Sequence, residues 1–171
     1  TVFADVSATH WAKESIQSLY EKGIINGKEE NKFYPDDMVT RAEFAKLLIT
    51  AFKPESSSNE QFFTDITEEM WHSSYVNAAQ KLGWIKGYPD GSFRAGNNIS
   101  REDMALMICR VLKTVKPELV ENNVNLEYAD SDKISAYASE SVGQLTSLNV
   151  LNGSGGYFMP KNSASRAEAA K

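Results

Sequence analysis

Apolar residues recur at helical spacing in several short stretches of this chain, and the first set of stretches ends at residues that tolerate a left-handed backbone. In the first of them, Ile16, Leu19 and Tyr20 lie on one helical face. Glycine and asparagine adopt the left-handed conformation that ends many helices. The candidate end residues are Gly23, Gly83 and Asn149. The pattern therefore predicts three short amphipathic helices.

A second set of helices is indicated by capping boxes, in which a serine or threonine is followed three residues later by an acid. The three boxes are Thr40 with Glu43, Ser100 with Asp103, and Ser165 with Glu168. Apolar residues follow the first two boxes at helical spacing. Turn-forming loops, such as residues 87–93, join the two kinds of helix. We predict an all-α fold of helix–loop–helix units.

The two kinds of helix belong to one unit that occurs three times. Each unit contains, in the same order, an aromatic–aspartate start, an aromatic residue at the first helix and an arginine at the second helix. The units are assigned to residues 1–53, 62–116 and 128–171, with linkers at 54–61 and 117–127. The second helix of the third unit is cut short.

One unit is too small to bury its own apolar face, so the three units are expected to share one core. We predict an intrachain pseudo-trimer around a central three-helix bundle. Only the first helix is complete in every unit, so we expect the first helices to form that bundle. A core closed within one chain predicts a monomer.

Charge and composition narrow the class of protein. A net charge of −5 does not indicate binding to nucleic acid or to an anionic membrane, so any anionic ligand must meet locally placed cations. No apolar run approaches the ~20 residues of a membrane-spanning helix. The first residues lack the basic start and apolar stretch of a signal peptide, so an exported protein is expected here in its mature form.

Metal, cofactor and catalytic chemistry find little support. His10 precedes Trp11 whereas His72 follows Trp71, so the histidines are out of register and do not form a repeated metal or base site. Cys109 is the only cysteine, which excludes an internal disulfide and a cysteine-based zinc site. No acid pair stands out as a glycosidase pair. We expect no enzyme activity and no cofactor.

Four types of residue recur in all three units and are candidates for a ligand site. They are the arginines Arg41, Arg101 and Arg166, the aspartates Asp5, Asp65 and Asp130, the aromatic residues Trp11, Trp71 and Tyr137, and the glycines Gly27, Gly87 and Gly153. The glycines also have a sufficient structural explanation, since a turn with positive φ requires no ligand.

The arginines lie in the first turn of a helix, where the macrodipole disfavours a cation. One interpretation is a salt bridge to the aspartate that recurs in every unit. The other is bidentate binding of a ligand carboxylate or phosphate, assisted by the free N–H groups of the helix start. The two can coexist. If the arginines bind ligand, their replacement by alanine should weaken binding and barely change the melting temperature.

The aromatic residues at the start of the first helix also allow two interpretations. Taken alone, a tryptophan there is more often part of a core than a binding surface. Beside a repeated arginine and aspartate, it also fits a carbohydrate site, in which an aromatic face packs against sugar C–H groups.

The first unit contains Phe-x-Asp-Val, His-Trp-Ala, Gly-Ile-Ile-x-Gly, Phe-x-Pro and Thr-Arg-Ala-Glu in this order, from Phe3 to Glu43. This pattern closely resembles the S-layer homology domain, and the other two units match it with substitutions. The resemblance implies a three-lobed module that anchors an extracellular protein to the cell wall or S-layer of a bacterium, and we expect a Gram-positive one. The implied partner is an anionic polysaccharide attached to peptidoglycan, bound between lobes, typically through pyruvylated N-acetylmannosamine.

The three units differ in ways that affect the expected sites. The third unit has Tyr137 in place of tryptophan and a short second helix. We therefore expect the sites that contain Arg41 and Arg101 to bind more strongly than the one that contains Arg166. Because the grooves lie between lobes, an arginine need not share a site with the tryptophan of its own unit. The alternative function is a structural self-assembly domain that contacts other protein copies of a surface layer.

Overall fold

The computed structural model describes residues 2–55, 60–120 and 126–171. Over these ranges the only β structure is isolated bridges, which confirms the predicted all-α fold class. The helices are α1 (Lys13–Glu21), α2 (Arg41–Phe52), α3 (Ser73–Lys81), α4 (Arg101–Val115), α5 (Ala136–Ser147) and α6 (Arg166–Ala170), with 3₁₀ turns at Pro117–Leu119 and Ser131–Lys133. The predicted linkers include residues 56–59 and 121–125, which lie outside the described residues.

The helix ends follow the local sequence signals. Thr40 Oγ1 accepts a hydrogen bond from the Glu43 backbone N–H, and the Glu43 carboxylate accepts one from the Thr40 N–H. Ser165 and Glu168 form the same reciprocal pair. At the other helix ends Gly23, Gly83 and Asn149 adopt positive φ values, as predicted. These local predictions are confirmed.

Each second helix packs against the first helix of the next unit. The helix pairs are α2 with α3, α4 with α5, and α6 with α1. In the described residues the first helices do not make the extensive contacts with one another that a central bundle requires, so that detail of the prediction is wrong. The apolar face of each first helix is already covered by the second helix of a neighbouring unit.

A closed cycle of backbone hydrogen bonds joins the three units just before their second helices. The Val39 N–H donates to the Ala164 carbonyl at 3.0 Å, the Ala164 N–H donates to the Ile99 carbonyl at 2.9 Å, and the Ile99 N–H donates to the Val39 carbonyl at 2.9 Å. All three residues are buried. The cycle fits an intrachain pseudo-trimer, which stays a prediction, as does the monomeric state.

In the described ranges no helix combines the length and the apolar character needed to cross a lipid bilayer.

Candidate ligand-binding grooves

Two grooves lie at the junctions between units, and each is lined by residues of all three. The first, called groove A, has a volume of about 530 Å³ and is lined by Gly27 and Lys46 of the first unit, Trp71 of the second and Arg166 of the third. The second, called groove C, has a volume of about 480 Å³. Its lining includes the equivalent residues, which are Gly153 and Lys171 of the third unit, Trp11 of the first and Arg101 of the second. The structure thus brings arginine, tryptophan and glycine of the candidate set together, from three different units.

The corresponding residues of the third junction, called groove B, are Gly87, Leu106, Tyr137 and Arg41. Here the arginine and the aromatic residue meet at one carboxylate. Arg41 Nη1 donates to Asp103 Oδ2 at 3.2 Å, and the Tyr137 hydroxyl donates to Asp103 Oδ1 at 3.0 Å. The cation of groove B is therefore paired within the protein.

The arginines connect each unit to the loop of the next. Arg41 Nε donates to the Phe93 carbonyl at 2.9 Å, and Arg101 Nε donates to the Phe158 carbonyl at 2.8 Å. Arg166 closes the cycle, because its Nε donates to the Phe33 carbonyl at 2.9 Å. Each guanidinium also lies over the ring of the phenylalanine to which it donates.

The predicted salt bridge between each arginine and the repeated aspartate is wrong. Arg41 pairs instead with Asp103, and Arg101 pairs with Glu168. Each of these acids is the capping-box acid of the next unit. Arg166 lies near Glu43, but desolvation by burial outweighs that attraction and lowers the pKa of its guanidinium. Arg166 is also only partly buried, so it is the most accessible of the three arginines.

The free N–H groups that we expected at the second helices are occupied. The Arg41 N–H donates to the Asn97 carbonyl at 2.9 Å and the Ala42 N–H donates to the Ala95 carbonyl at 3.1 Å. The corresponding N–H groups of α4 and α6 donate in the same way to carbonyl groups of a neighbouring unit. An anion therefore finds no unsatisfied helix start here, because the loop of the adjacent unit already caps it.

The three aspartates hold the loops in place. Asp5 accepts hydrogen bonds from the N–H groups of Phe33 and Tyr34, at 2.8 and 2.6 Å. Asp65 and Asp130 bind the corresponding two N–H groups of their own units. The second residue of each pair has a positive φ, so the aspartate stabilises a strained turn. Through that turn the aspartate positions the carbonyl that the arginine binds.

The carboxyl group of Asp130 makes stability depend on acid pH. Burial pushes its pKa upward, but the hydrogen bonds from Phe158 and Met159 outweigh burial and hold the pKa below the usual value. A carboxyl group whose pKa is lower in the folded state stabilises that state. The stabilisation is complete above the pKa of the unfolded chain, about 3.9, and is lost as the pH falls through the pKa of the folded protein.

We therefore expect Asp130→Asn to lower the free energy of unfolding at pH 7. Between pH 5 and 2, the free energy of unfolding of the variant should fall less than that of the native chain. Denaturant unfolding at a series of pH values measures both quantities. Asp132→Asn, in the same turn but not in these hydrogen bonds, is the control. Parallel pH curves for the native chain and Asp130→Asn would contradict the assignment.

The glycines are required by close packing rather than by positive φ, which corrects one expectation. A Cβ atom on Gly27 would lie 2.5 Å from the Lys32 carbonyl oxygen and 2.9 Å from the Phe3 ring. Gly87 and Gly153 face the equivalent carbonyl and ring of their own units. The three glycines thus let the loop fold over the aromatic residue that starts each unit.

The aromatic residues are exposed, which excludes the core interpretation. The exposed fraction is 56% for Trp11 and 58% for both Trp71 and Tyr137. Tyr137 differs in that its hydroxyl is bound by the carboxylates of Glu102 and Asp103. Desolvation by burial, together with those carboxylates, raises the pKa of Tyr137. The two tryptophans are therefore exposed beside the grooves, with the His10 ring stacked on Trp11 and Lys46 near the Trp71 ring, whereas the tyrosine is held through its hydroxyl.

Two groups of residues at the junctions were missed by sequence reasoning. Lys46 and Lys171 line grooves A and C at the same repeat position, which the register of the units could have indicated. Glu102 is buried in the second unit, where the first and third units have alanine. It binds Ser135, Tyr137 and Lys161 of the third unit. In the sequence, Glu102 is distinguished only by its departure from the repeat.

Comparison with known proteins gives the family. The model of the S-layer homology domain matches residues 2–45, 62–105 and 127–170. An endoglucanase of Bacillus sp. (strain KSM-635) is 35% identical over 170 residues, which are 99% of this chain and 18% of that protein. The S-layer protein EA1 of Bacillus anthracis is 31% identical over 171 residues, which are 99% of this chain and 19% of that protein. An amylopullulanase of Thermoanaerobacterium thermosulfurigenes is 31% identical over 163 residues, 94% of this chain and 9% of that protein.

The chain therefore spans less than a fifth of the length of these relatives. The family and its S-layer members assign the chain to the bacterial cell surface, in the cell wall or S-layer. Three tandem matches, in the order and register of the three structural units, make this chain a member of the S-layer homology domain family.

Proposed function

We propose that grooves A and C bind an acidic sugar of the cell-wall polysaccharide, with pyruvylated N-acetylmannosamine as the expected residue. The chain is a cell-wall anchoring module, and this binding would hold the attached S-layer or other surface protein on the envelope. The module itself performs no catalysis in this proposal. The polysaccharide that carries the sugar is attached to peptidoglycan.

The observation that carries the proposal is an exposed tryptophan beside cations in an open groove. In groove A, Trp71 lies with Arg166 and Lys46 around one cavity, and groove C has Trp11, Arg101 and Lys171. An aromatic face supports the apolar side of a sugar ring, and adjacent cations attract a carboxylate on the same ring. A neutral sugar would use only the first of these features, so the groove favours an acidic one.

The range of relatives supports anchoring rather than glycan cleavage. The same segment is similar to part of an endoglucanase, part of an amylopullulanase and part of an S-layer protein. A segment shared by enzymes of different names and by an S-layer protein fits a common attachment role. In each of them most of the length lies outside the segment.

The test is sedimentation with purified cell walls that carry the polysaccharide, before and after chemical removal of pyruvate. We expect the native chain to bind intact walls and to lose most binding once pyruvate is removed. Trp71→Ala should weaken binding at groove A by up to about tenfold, because an aromatic contact contributes about 0.5–1.5 kcal/mol beyond its buried area. Trp11→Ala combined with Trp71→Ala should weaken wall binding more than either substitution alone, because both grooves then lose their aromatic face.

Phe62→Ala is the matched control, since Phe62 is also an exposed aromatic residue but does not line either groove. Its binding should equal that of the native chain. Native affinity for walls in the chain that carries both tryptophan substitutions would contradict the proposed site. Self-association of the native chain without wall binding would instead favour the self-assembly alternative.

A further inference from the structure

The second helices carry a lysine at one repeat position in two of the three units. The residue five positions after the arginine is Lys46 in the first unit, Leu106 in the second and Lys171 in the third. The two lysines line grooves A and C, and the leucine is the residue at the corresponding repeat position of the third junction. A charge present in both tryptophan-lined grooves is a candidate for direct ligand contact.

Lys46 is placed against the aromatic wall of groove A. Its Nζ atom lies 5.6 Å from the centroid of the Trp71 ring and 5.7 Å from that of Tyr75. The side chain is exposed, and within the described ranges it forms no ion pair. An ammonium over an aromatic ring keeps its attraction for an anion while the ring fixes its position. Lys171 is likewise exposed and forms no ion pair in the described part of the chain.

The arginines of the same grooves have other partners. Arg101 is buried, donates to the Phe158 carbonyl and pairs with Glu168. Arg166 donates to the carbonyl groups of Phe33 and Asn26, both at 2.9 Å. These bonds occupy two of the five N–H donors of Arg166, and they fix the direction of its guanidinium. Its charge still attracts an anion, but its geometry is set by the loop.

We infer that Lys46 in groove A and Lys171 in groove C are the groups that contact the ligand carboxylate, whereas the arginines connect the units and supply background positive charge. This inference rests on the proposed function. It assigns specificity for acidic over neutral sugars to the two lysines. Groove B has an apolar side chain at this position and lacks that contact.

The three tryptophans allow grooves A and C to be observed separately. In chain labelled with fluorotryptophan, the Trp71 fluorine resonance reports groove A, the Trp11 resonance reports groove C, and the buried Trp84 is an internal control. The probe is the pyruvylated N-acetylmannosamine monosaccharide, compared with the unsubstituted sugar. In the native chain both groove resonances should shift with the acidic sugar, and that of Trp84 should stay in place.

Lys46→Met keeps the apolar stem against the rings and removes the charge. We expect it to raise the dissociation constant read from Trp71 by about tenfold or more, with the value from Trp11 unchanged. Lys171→Met should have the converse effect, and Lys46→Arg should retain most of the affinity. Lys81→Met is the control, because Lys81 is an exposed helical lysine outside both grooves.

The outcomes separate the two proposals. If the native chain binds the acidic sugar and Lys46→Met binds it equally well at Trp71, the lysine assignment is overturned and the groove proposal stands. If neither groove resonance moves in the native chain and walls are not bound, the proposed function itself fails. Equal affinity for the acidic and neutral sugars in the native chain would also overturn the lysine assignment.

Discussion

Arg41→Ala should lower the free energy of unfolding by about 3 kcal/mol, because the substitution breaks a largely buried charge pair and removes the donor of the buried Phe93 carbonyl group. Arg41 is only 4% exposed. It donates to the Phe93 and Lys86 carbonyl groups and to Asp103, all in the next unit. For a chain of this length the loss corresponds to a fall of roughly 6–12 °C in the melting temperature. Calorimetric or circular-dichroism melting measures it.

Arg94→Ala is the matched control in the same loop region. Arg94 also pairs with an acid, Asp90, and lies over the Tyr88 ring, but its side chain is exposed. An exposed pair contributes about 1 kcal/mol or less. A contrary result would be that Arg41→Ala melts at the same temperature as the native chain and loses only wall binding. The arginine would then bind ligand, as one interpretation of the sequence suggested, and would not connect the units.

Gly27→Ala should cost about 3 kcal/mol, because the added methyl group must displace a backbone carbonyl and the Phe3 ring. Neither neighbour is the free end of a flexible side chain, so the loop itself has to move. Since that loop supplies the Asn26 and Phe33 carbonyl groups to Arg166, the contact between the first and third units should weaken as well. Denaturant unfolding measures the loss of stability.

Gly23→Ala, four residues earlier, separates the two reasons for a glycine. Gly23 has a φ of +69° and nothing within 4 Å of an added Cβ, so the cost is only that of the left-handed conformation, about 1 kcal/mol. A loss at Gly23 as large as the loss at Gly27 would show that backbone conformation, and not close packing, dominates at these positions.

The sequence predicted most reliably those features that depend on neighbours along the chain. The capping boxes and the left-handed ends at Gly23 and Asn149 are local, since a few adjacent residues determine the backbone there. The repeat register also identified the arginines, aromatic residues and glycines of the junctions, although not the two lysines. These features need no knowledge of how the units pack.

The roles of the junction residues depend on which unit faces which, and a repeat pattern does not contain that information. Arg41 could equally have met an aspartate of its own unit or a loop of the next. One signal was present and unused: the aspartate and the phenylalanine that it binds are separated by 28 positions in all three units. A constant spacing between a carboxylate and a backbone position indicates a loop-holding role.

The expected order of the three sites also changes once the units are assembled. The departures in the third unit suggested that the Arg166 site would be the weakest. Arg166 instead lies in groove A, whose tryptophan belongs to the second unit and whose lysine belongs to the first. The replacement of the repeated tryptophan by Tyr137 affects groove B, where Asp103 already pairs with Arg41. We therefore now expect Arg166→Ala to weaken binding more than Arg41→Ala.

The cyclic contacts between units have a consequence for how the chain folds as it leaves the ribosome or crosses a membrane. Arg166 binds the Phe33 and Asn26 carbonyl groups across sequence separations of 133 and 140 residues. The first unit therefore cannot form all of its native contacts until the third unit has emerged, however fast its own helices form. Contacts over such distances form late and slowly. An incomplete chain exposes the apolar surfaces of its first two units during this time, so the module should depend on being kept unfolded until it is whole.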